Sequence, residues 1–278
     1  MVKILAWGAR DREFKSHRPH HFSSRSPAWT AVTGQLGGKR YSKIAVTAGS
    51  PDCGEAGCCG SHPISLGGSV PAEALAADAG CGSPLAMVAP REGSVVLDLG
   101  SGGGVDVFRA SAMVGPDGRV LGVDATPEMV WRARETRARY GDRYANAEFR
   151  LGEIEHLPIG SESVDYVISN CVLNLVPDKL AAFREAFRVL KEGGTFAVAD
   201  VTLHDVIPDA ARRDIDSWSA CIAGALLDVE YEEKLRAAGF EDVEIEHVSD
   251  SNIGEYPFRY HSSHIRARKP SSGHPRAR

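Results

Sequence analysis

The chain has 278 residues, of which 43% are hydrophobic and 25% are charged. This ordinary mixture excludes a fully disordered, collagen-like or coiled-coil protein. The formal net charge of −5 at pH 7 gives the chain no overall basic excess for binding nucleic acid or an anionic membrane. We therefore expect neither as a partner.

The first 30 residues show no helical or strand periodicity, so we expect a disordered leader over 1–30. The apolar start at residues 1–7 is followed at once by charged residues and is too short for a secretory signal. No segment approaches the roughly 20 apolar residues of a membrane-spanning helix. We therefore expect a cytoplasmic protein. Residues 13–16 can be encoded by a string resembling a transfer RNA gene, so an alternative is that the leader is not native sequence.

A cysteine-bearing segment follows over residues 31–88. In a reducing compartment cysteines indicate thiol chemistry or metal binding more than structural disulfides. The adjacent pair Cys58 and Cys59, with Cys53 and His62 nearby, lacks the paired C-x-x-C spacing of common zinc sites. No tightly bound metal cofactor is therefore expected. The six cysteines of the chain are Cys53, Cys58, Cys59, Cys81, Cys171 and Cys221.

An orderly core is predicted over residues 89–203, where short apolar runs alternate with helical patterns. This alternation predicts an α/β protein with a doubly wound, Rossmann-like parallel sheet. The predicted strands are 94–99, 118–123, 148–151, 163–169 and 194–201, and the predicted helices are 105–114, 126–140 and 179–191.

A small C-terminal α+β lobe is predicted over residues 204–268, with a basic disordered tail over 269–278. Its predicted helices are 210–227 and 231–238, and its predicted strands are 241–248 and 260–268.

A glycine-rich loop joins the first strand of the core to its helix. Gly100, Gly102 and Gly104 form G-x-G-x-G, whereas a nicotinamide-type fingerprint would place its third glycine one residue later. Asp98 lies just before the loop, and Asp124 ends the next strand, where it can accept hydrogen bonds from ribose hydroxyls. The pattern predicts an S-adenosylmethionine site.

Further cofactor contacts are predicted after the second, third and fourth strands. Glu155 lies where adenine would sit and can accept from its exocyclic amine, although an ordinary surface loop is the alternative. The remaining predicted cofactor-binding residues are Thr126, Ile154 and Asn170.

Cys171 follows the fourth strand directly, so it lies on the same sheet edge as Gly100 and Asp124. A buried, inert cysteine is the alternative for this residue. Cys221 is predicted on a helix of the C-terminal lobe and Cys81 in a turn, and spacing alone leaves open whether the three thiols meet.

Five segments together resemble the arsenite methyltransferases, which have the class I methyltransferase fold. The resemblance covers roughly residues 39–250, and its most specific parts contain Cys171 and Cys221. The segments are DLGSGGGVD (98–106), GVDATPEM (122–129), GEIEHLP (152–158), ISNCVLNLVP (168–177) and CIAGAL (221–226).

The resemblance implies that Cys171 and Cys221 hold trivalent arsenic as thiolates, with Cys81 as a third, mobile thiol. Cys58 and Cys59 would be auxiliary thiols. The arsenic lone pair would attack the methyl group of S-adenosylmethionine without a general base. A thioredoxin- or glutathione-type reductant would then reset the cysteines. The function implied is arsenic detoxification.

Two alternatives remain open on the sequence. One is a methyltransferase for a small organic acceptor such as a quinone, which predicts that Cys171 and Cys221 are dispensable. The other is a metalloid-binding protein without turnover, against which the intact glycine loop and Asp124 argue.

Overall fold

The computed structural model describes residues 70–75, 82–208, 221–222, 224–252 and 258–271. The strands are β1 (Val95–Leu99), β2 (Arg119–Asp124), β3 (Ala147–Leu151), β4 (Val164–Asn170), β5 (Leu190–Leu203), β6 (Leu226–Leu227), β7 (Glu241–Asn252) and β8 (Arg259–Arg268). The α-helices are α1 (Ala72–Leu75), α2 (Pro84–Val88), α3 (Val105–Val114), α4 (Pro127–Arg139), α5 (Lys179–Val189) and α6 (Asp228–Ala238).

These strands form one sheet with the order β3-β2-β1-β4-β5-β8-β7, and the short β6 pairs with β5. Strands β1 to β5 are parallel, whereas β8 runs antiparallel to β5 and β7 antiparallel to β8. The central parallel strands β1 and β2 are largely apolar because both faces of the sheet are covered. In β1, for example, Leu97 and Leu99 belong to one core cluster and Val96 to another. The predicted doubly wound α/β fold is confirmed.

Local sequence signals predict the boundaries of the core helices closely. The predicted boundaries of α3 match the observed ones, and Pro127 occupies the first turn of α4 behind Thr126, as expected for this residue pair. Helix α5 ends at Val189, two residues before the predicted end. Its successor Leu190 is already extended and pairs with Val164 of β4. The strand begins there because pairing with β4 satisfies its backbone.

The C-terminal strands extend the core sheet, since β8 lies directly beside β5 over residues 195–203. The helix predicted over 210–227 is wrong at its C-terminal end. Cys221 has φ +68°, a left-handed conformation that a right-handed helix cannot include, and Leu226 is in a strand. The rest of that predicted helix lies outside the described residues.

Lys269 also differs from its prediction as part of a disordered tail. It is 7% exposed, and its ammonium donates to the carbonyls of Leu190 and Phe187. The predicted leader, Cys53, Cys58, Cys59 and Cys81 lie outside the described residues. Among the helices that are described, none is long and apolar enough to cross a membrane.

Candidate active site

The glycine loop between β1 and α3 is held in a conformation that side chains disfavour. Gly100, Gly102 and Gly104 have φ of +70°, +49° and +91°, values that glycine adopts at little cost. A Cβ on Gly104 would lie 2.7 Å from the Phe149 ring, and one on Gly100 would overlap the Val172 side chain. Two of the three glycines are therefore required by the protein's own packing.

Gly102 differs from both, because a Cβ there would meet no heavy atom within 4 Å. Its N–H donates to Asp124 Oδ2 at 2.9 Å, and the N–H of Thr126 donates to Oδ1 at 2.8 Å. Burial raises the pKa of Asp124, while these hydrogen bonds oppose the rise. The carboxylate thus holds the loop on its protein side, and open space remains where a side chain on Gly102 would lie. A loop closed on its protein side and open on the other fits a bound nucleoside-type cofactor.

The two acids around the loop are both buried. Asp98 of β1 is 3% exposed. Asp106, in the first turn of α3, forms an ion pair with Arg109 at 3.1 Å and is 5% exposed. The hydroxyl of Ser101 within the loop is buried and has no hydrogen-bond partner among the described residues. It faces β2, since a Cβ on Gly122 would lie 2.7 Å from this oxygen.

The segment after β3 lies next to Asp124, because the N–H of Gly152 donates to the Asp124 carbonyl at 3.0 Å. Ile154 is 7% exposed and packs into the main core cluster. Glu155 is half-buried, and burial is the chief reason that its pKa is raised. The structure therefore brings Glu155 to the same sheet edge as the glycine loop.

Cys171 comes immediately after β4, at the sheet edge where the glycine loop lies. Its N–H donates to the Ala199 carbonyl at 2.8 Å, and its neighbour Val172 is the side chain against which Gly100 packs. Cys171 is 6% exposed and takes part in a disulfide bond, whose other half is not Cys221. Its position beside the loop agrees with the topological prediction.

Cys221 meets Cys171, although 50 residues separate them in the chain. The Cys221 thiol donates to the Cys171 carbonyl with a sulfur–oxygen distance of 3.1 Å, and Cys221 is 5% exposed. The two cysteines share an apolar cluster with Val201, Leu203 and Ala225. Sequence spacing had left this contact open.

Both cysteines have positive φ, +59° for Cys171 and +68° for Cys221. Residues other than glycine rarely adopt this region, and such strain of order 1–3 kcal/mol each concentrates at functional sites. The two strained cysteines are thus candidates for function rather than for packing alone.

A buried polar network supports the turn that follows Cys171. Asn174 donates through Nδ2 to Asp200 Oδ1 at 2.8 Å and to the Val201 carbonyl at 2.7 Å. Asp200 is fully buried, and this burial raises its pKa to about 7. Lys179 donates to the Asn174 carbonyl from the start of α5. The sequence analysis missed this network, although an Asp within the apolar run of β5 was a visible signal.

Asn170 makes contacts that the sequence also did not predict. Its side-chain amide bonds to the backbone of Gly82 in both directions and donates to Asp106 Oδ2 at 3.2 Å. The amide therefore links the end of β4 to the segment that leads into α2.

The sheet and its edge define a protein of the doubly wound class that binds a nucleoside-bearing ligand beyond the carboxyl ends of its strands. The sequence matches the methyltransferase domain family over residues 90–244, more than half of the chain. The chain belongs to this family.

Its relatives include two named arsenite methyltransferases. That of Halobacterium salinarum is 43% identical over 84% of this chain and 66% of its own length. That of Aquipseudomonas alcaligenes is 41% identical over 59% of this chain and 48% of its own. The chain thus spans from about half to just under two thirds of the length of these relatives.

A solved structure adds to the comparison. The crystal structure of an arsenic(III) S-adenosylmethionine methyltransferase from Chlamydomonas reinhardtii matches with a TM-score of 0.63 and 33% identity. The match covers 74% of this chain and 73% of that one.

Proposed function

We propose that the chain is an arsenite methyltransferase, which transfers methyl groups from S-adenosylmethionine to trivalent arsenic bound by Cys81, Cys171 and Cys221. The observation that carries the proposal is the meeting of Cys171 and Cys221 at the edge where Gly100 packs against Val172. Methyl donor and thiols would then share one site. The names of the relatives support the same assignment.

The glycine loop and its neighbours would bind S-adenosylmethionine, which supplies an electrophilic methyl group when bound. Asp124 would accept from the ribose hydroxyls, because the N–H groups of Gly102 in the loop and of Thr126 before α4 hold its carboxylate at this edge of the sheet. Glu155 would accept from the adenine amine, and Ile154 would offer an apolar wall. Asp98, Gly104, Thr126 and Asn170 complete the proposed cofactor set.

The thiolates would hold arsenic because a soft metalloid prefers soft sulfur ligands. Three As–S bonds leave the arsenic lone pair available for attack on the methyl group, so no proton is removed. The enzyme's contribution is then to position two reactants and exclude water. The apolar residues around Cys171 and Cys221 suit that role.

Methylation raises the formal oxidation state of arsenic by two. We propose that two of the cysteines return it to the trivalent state by giving up two electrons and forming a disulfide. A dithiol or glutathione-type reductant would then restore the thiols. The disulfide at Cys171 is consistent with such a redox role, and Cys58 and Cys59 would serve as auxiliary thiols in a cytoplasmic enzyme of arsenic detoxification.

The test incubates the purified chain with S-adenosylmethionine, arsenite and a thiol reductant and then separates the arsenic species with mass detection. Cys171→Ser and Cys221→Ser should abolish methylated arsenic while retaining S-adenosylmethionine binding. Cys53→Ser provides the same substitution at a cysteine without an assigned role. Arsenic that stays inorganic with the parent chain would refute the proposal. Methylation of a quinone by both variants would favour an organic acceptor instead.

A further inference from the structure

Strand β5 has a gap between its neighbours at its carboxyl end. On one side β8 pairs with it over residues 195–203, and on the other side β4 pairs with it as far as Asn170, opposite Ala199. The N–H of Cys171 makes the last bond from the β4 side, to the Ala199 carbonyl at 2.8 Å. The short β6 takes over further along. In a continued parallel ladder the next acceptor would be the Val201 carbonyl, which lies in this gap.

The side-chain amide of Asn174 bonds to that acceptor. Its Nδ2 donates to the Val201 carbonyl at 2.7 Å and to Asp200 Oδ1 at 2.8 Å. Because a carbonyl can only accept, the nitrogen of the amide must face it. Asn174 is fully buried, and its Oδ1 accepts no hydrogen bond from any described residue. The donor end of the amide therefore replaces the backbone N–H that β4 no longer supplies once the chain has left the sheet.

The short turn from Cys171 to Asn174 is thus held at both of its ends. At its start the Cys171 N–H is bonded to β5, and at its end the Asn174 N–H donates to Asp200 Oδ2 at 3.3 Å while Lys179 donates to the Asn174 carbonyl. Between these points Cys171 has φ +59°. Such a conformation costs free energy in a residue with a side chain and persists only where the surrounding structure determines it.

Both described cysteines approach each other over the same gap. Cys171 follows β4, Cys221 comes shortly before β6, and Val201 belongs to the apolar cluster that they share. The Cys221 thiol donates to the Cys171 carbonyl at 3.1 Å. We propose that Asn174 is a positioning residue, whose hydrogen bond to the Val201 carbonyl holds Cys171 in its left-handed turn with the carbonyl directed at Cys221. As an account of how two arsenic-binding thiols are placed, this inference rests on the proposed function.

The first test needs no arsenic. It uses the full chain with serine in place of every cysteine except Cys221, because Cys171→Ser keeps the backbone carbonyl that accepts from this thiol. The rate at which iodoacetamide alkylates Cys221 is measured. Cys221 is only 5% exposed, so the reagent reaches it when the contact with residue 171 opens. Asn174→Ala should raise the rate about tenfold, the equivalent of one hydrogen bond lost from the closed state.

Asn146→Ala is the matched control. The half-buried amide of Asn146 also donates to two backbone carbonyls, those of Ser111 and Gly115, but it lies before β3 at the other edge of the sheet. This variant should lose stability in urea yet keep the alkylation rate within twofold of the parent. Equal rates in all three proteins would overturn the proposal, as would equal increases in both variants. If Asn174→Ala lacks a cooperative urea transition, Asn174→Ser replaces it. Its hydroxyl is too short to reach the Val201 carbonyl, and the rate should rise at least threefold.

A second measurement tests the placement of the two thiols directly. Phenylarsine oxide, a trivalent arsenical that binds two thiols, is titrated against a chain that keeps only Cys171 and Cys221. Asn174→Ala should weaken binding about tenfold, and by less than twofold when Cys221→Ser is also present. Equal weakening in both backgrounds would contradict the positioning role, as would a parent that does not bind the probe. Failure of the wild-type chain to methylate arsenite would refute the proposed function, while the alkylation rates would still decide the role of Asn174.

Discussion

Gly102 offers a sharp test of the cofactor site, because its reason for being glycine differs from that of its neighbours. Its φ is +49°, and a Cβ there would contact no protein atom within 4 Å. Within the protein, Gly102→Ala therefore lowers the free energy of unfolding only through the backbone strain of a left-handed alanine, about 1–2 kcal/mol. Part of this is offset by about 0.4–1 kcal/mol, since alanine restricts the unfolded chain. We expect a net loss near 1 kcal/mol in the free energy of unfolding.

The effect on cofactor affinity should be larger than this strain would suggest. The added methyl group projects into the space where the proposed nucleoside ligand approaches the loop. We expect the dissociation constant for S-adenosylmethionine to rise at least tenfold, which corresponds to about 1.4 kcal/mol. Calorimetric titration measures the affinity, and urea unfolding measures the stability.

Gly141→Ala is the control for backbone strain. Gly141 has φ +55°, its added Cβ would also meet nothing within 4 Å, and it lies before β3 at the other edge of the sheet. It should lose similar stability and bind S-adenosylmethionine like the parent. If Gly102→Ala also bound the cofactor with parental affinity, the loop would not face the ligand and the reasoning would fail.

Three further predictions concern single side chains. The two oxygens of Asp124 each accept from one backbone N–H, and Asp124→Asn replaces one of these oxygens by an amide group that donates. The affinity for S-adenosylmethionine should therefore fall about tenfold in the same titration. Unchanged affinity would contradict the role of the carboxylate. Asp200 has a pKa of about 7, above that of an unfolded aspartate. From about pH 4 to 7 the native state therefore holds one more proton than the unfolded state. The free energy of unfolding falls by about 1.4 kcal/mol for each unit by which the pH rises in that range. Asp200→Asn should lack this slope when urea unfolding is measured from pH 5 to 8, and parallel slopes would show that the carboxyl is not buried as described. Lys269→Met should cost about 2–3 kcal/mol in urea unfolding, because two backbone carbonyls lose their ammonium donor; a cost below 0.5 kcal/mol would refute this anchoring.

The fold could be predicted from sequence because its signals are local. Buried parallel strands such as β1 are largely apolar, and Pro127 after Thr126 marks where α4 begins. The glycine spacing and Asp124 are also local, so the cofactor loop was found without knowledge of the sheet.

The long-range contacts around Cys171 could not be predicted in the same way. Cys221 approaches Cys171 across 50 residues, and Asn170 pairs with Gly82 across 88. Such contacts depend on the completed sheet rather than on periodicity. The helix predicted through Cys221 failed for a related reason, since tertiary packing imposes a left-handed residue where the local pattern favours a helix.

The outer strand β7 has a consequence for how copies of the protein meet. It is the last strand in the described order, and an edge strand offers its backbone to any other strand that approaches. Glu244 and Glu246 are exposed along this edge. Two molecules aligned edge to edge would bring these carboxylates together, so repulsion opposes sheet-to-sheet growth at neutral pH. Neutral side chains at these two positions would leave the edge open to pairing between molecules in concentrated solution.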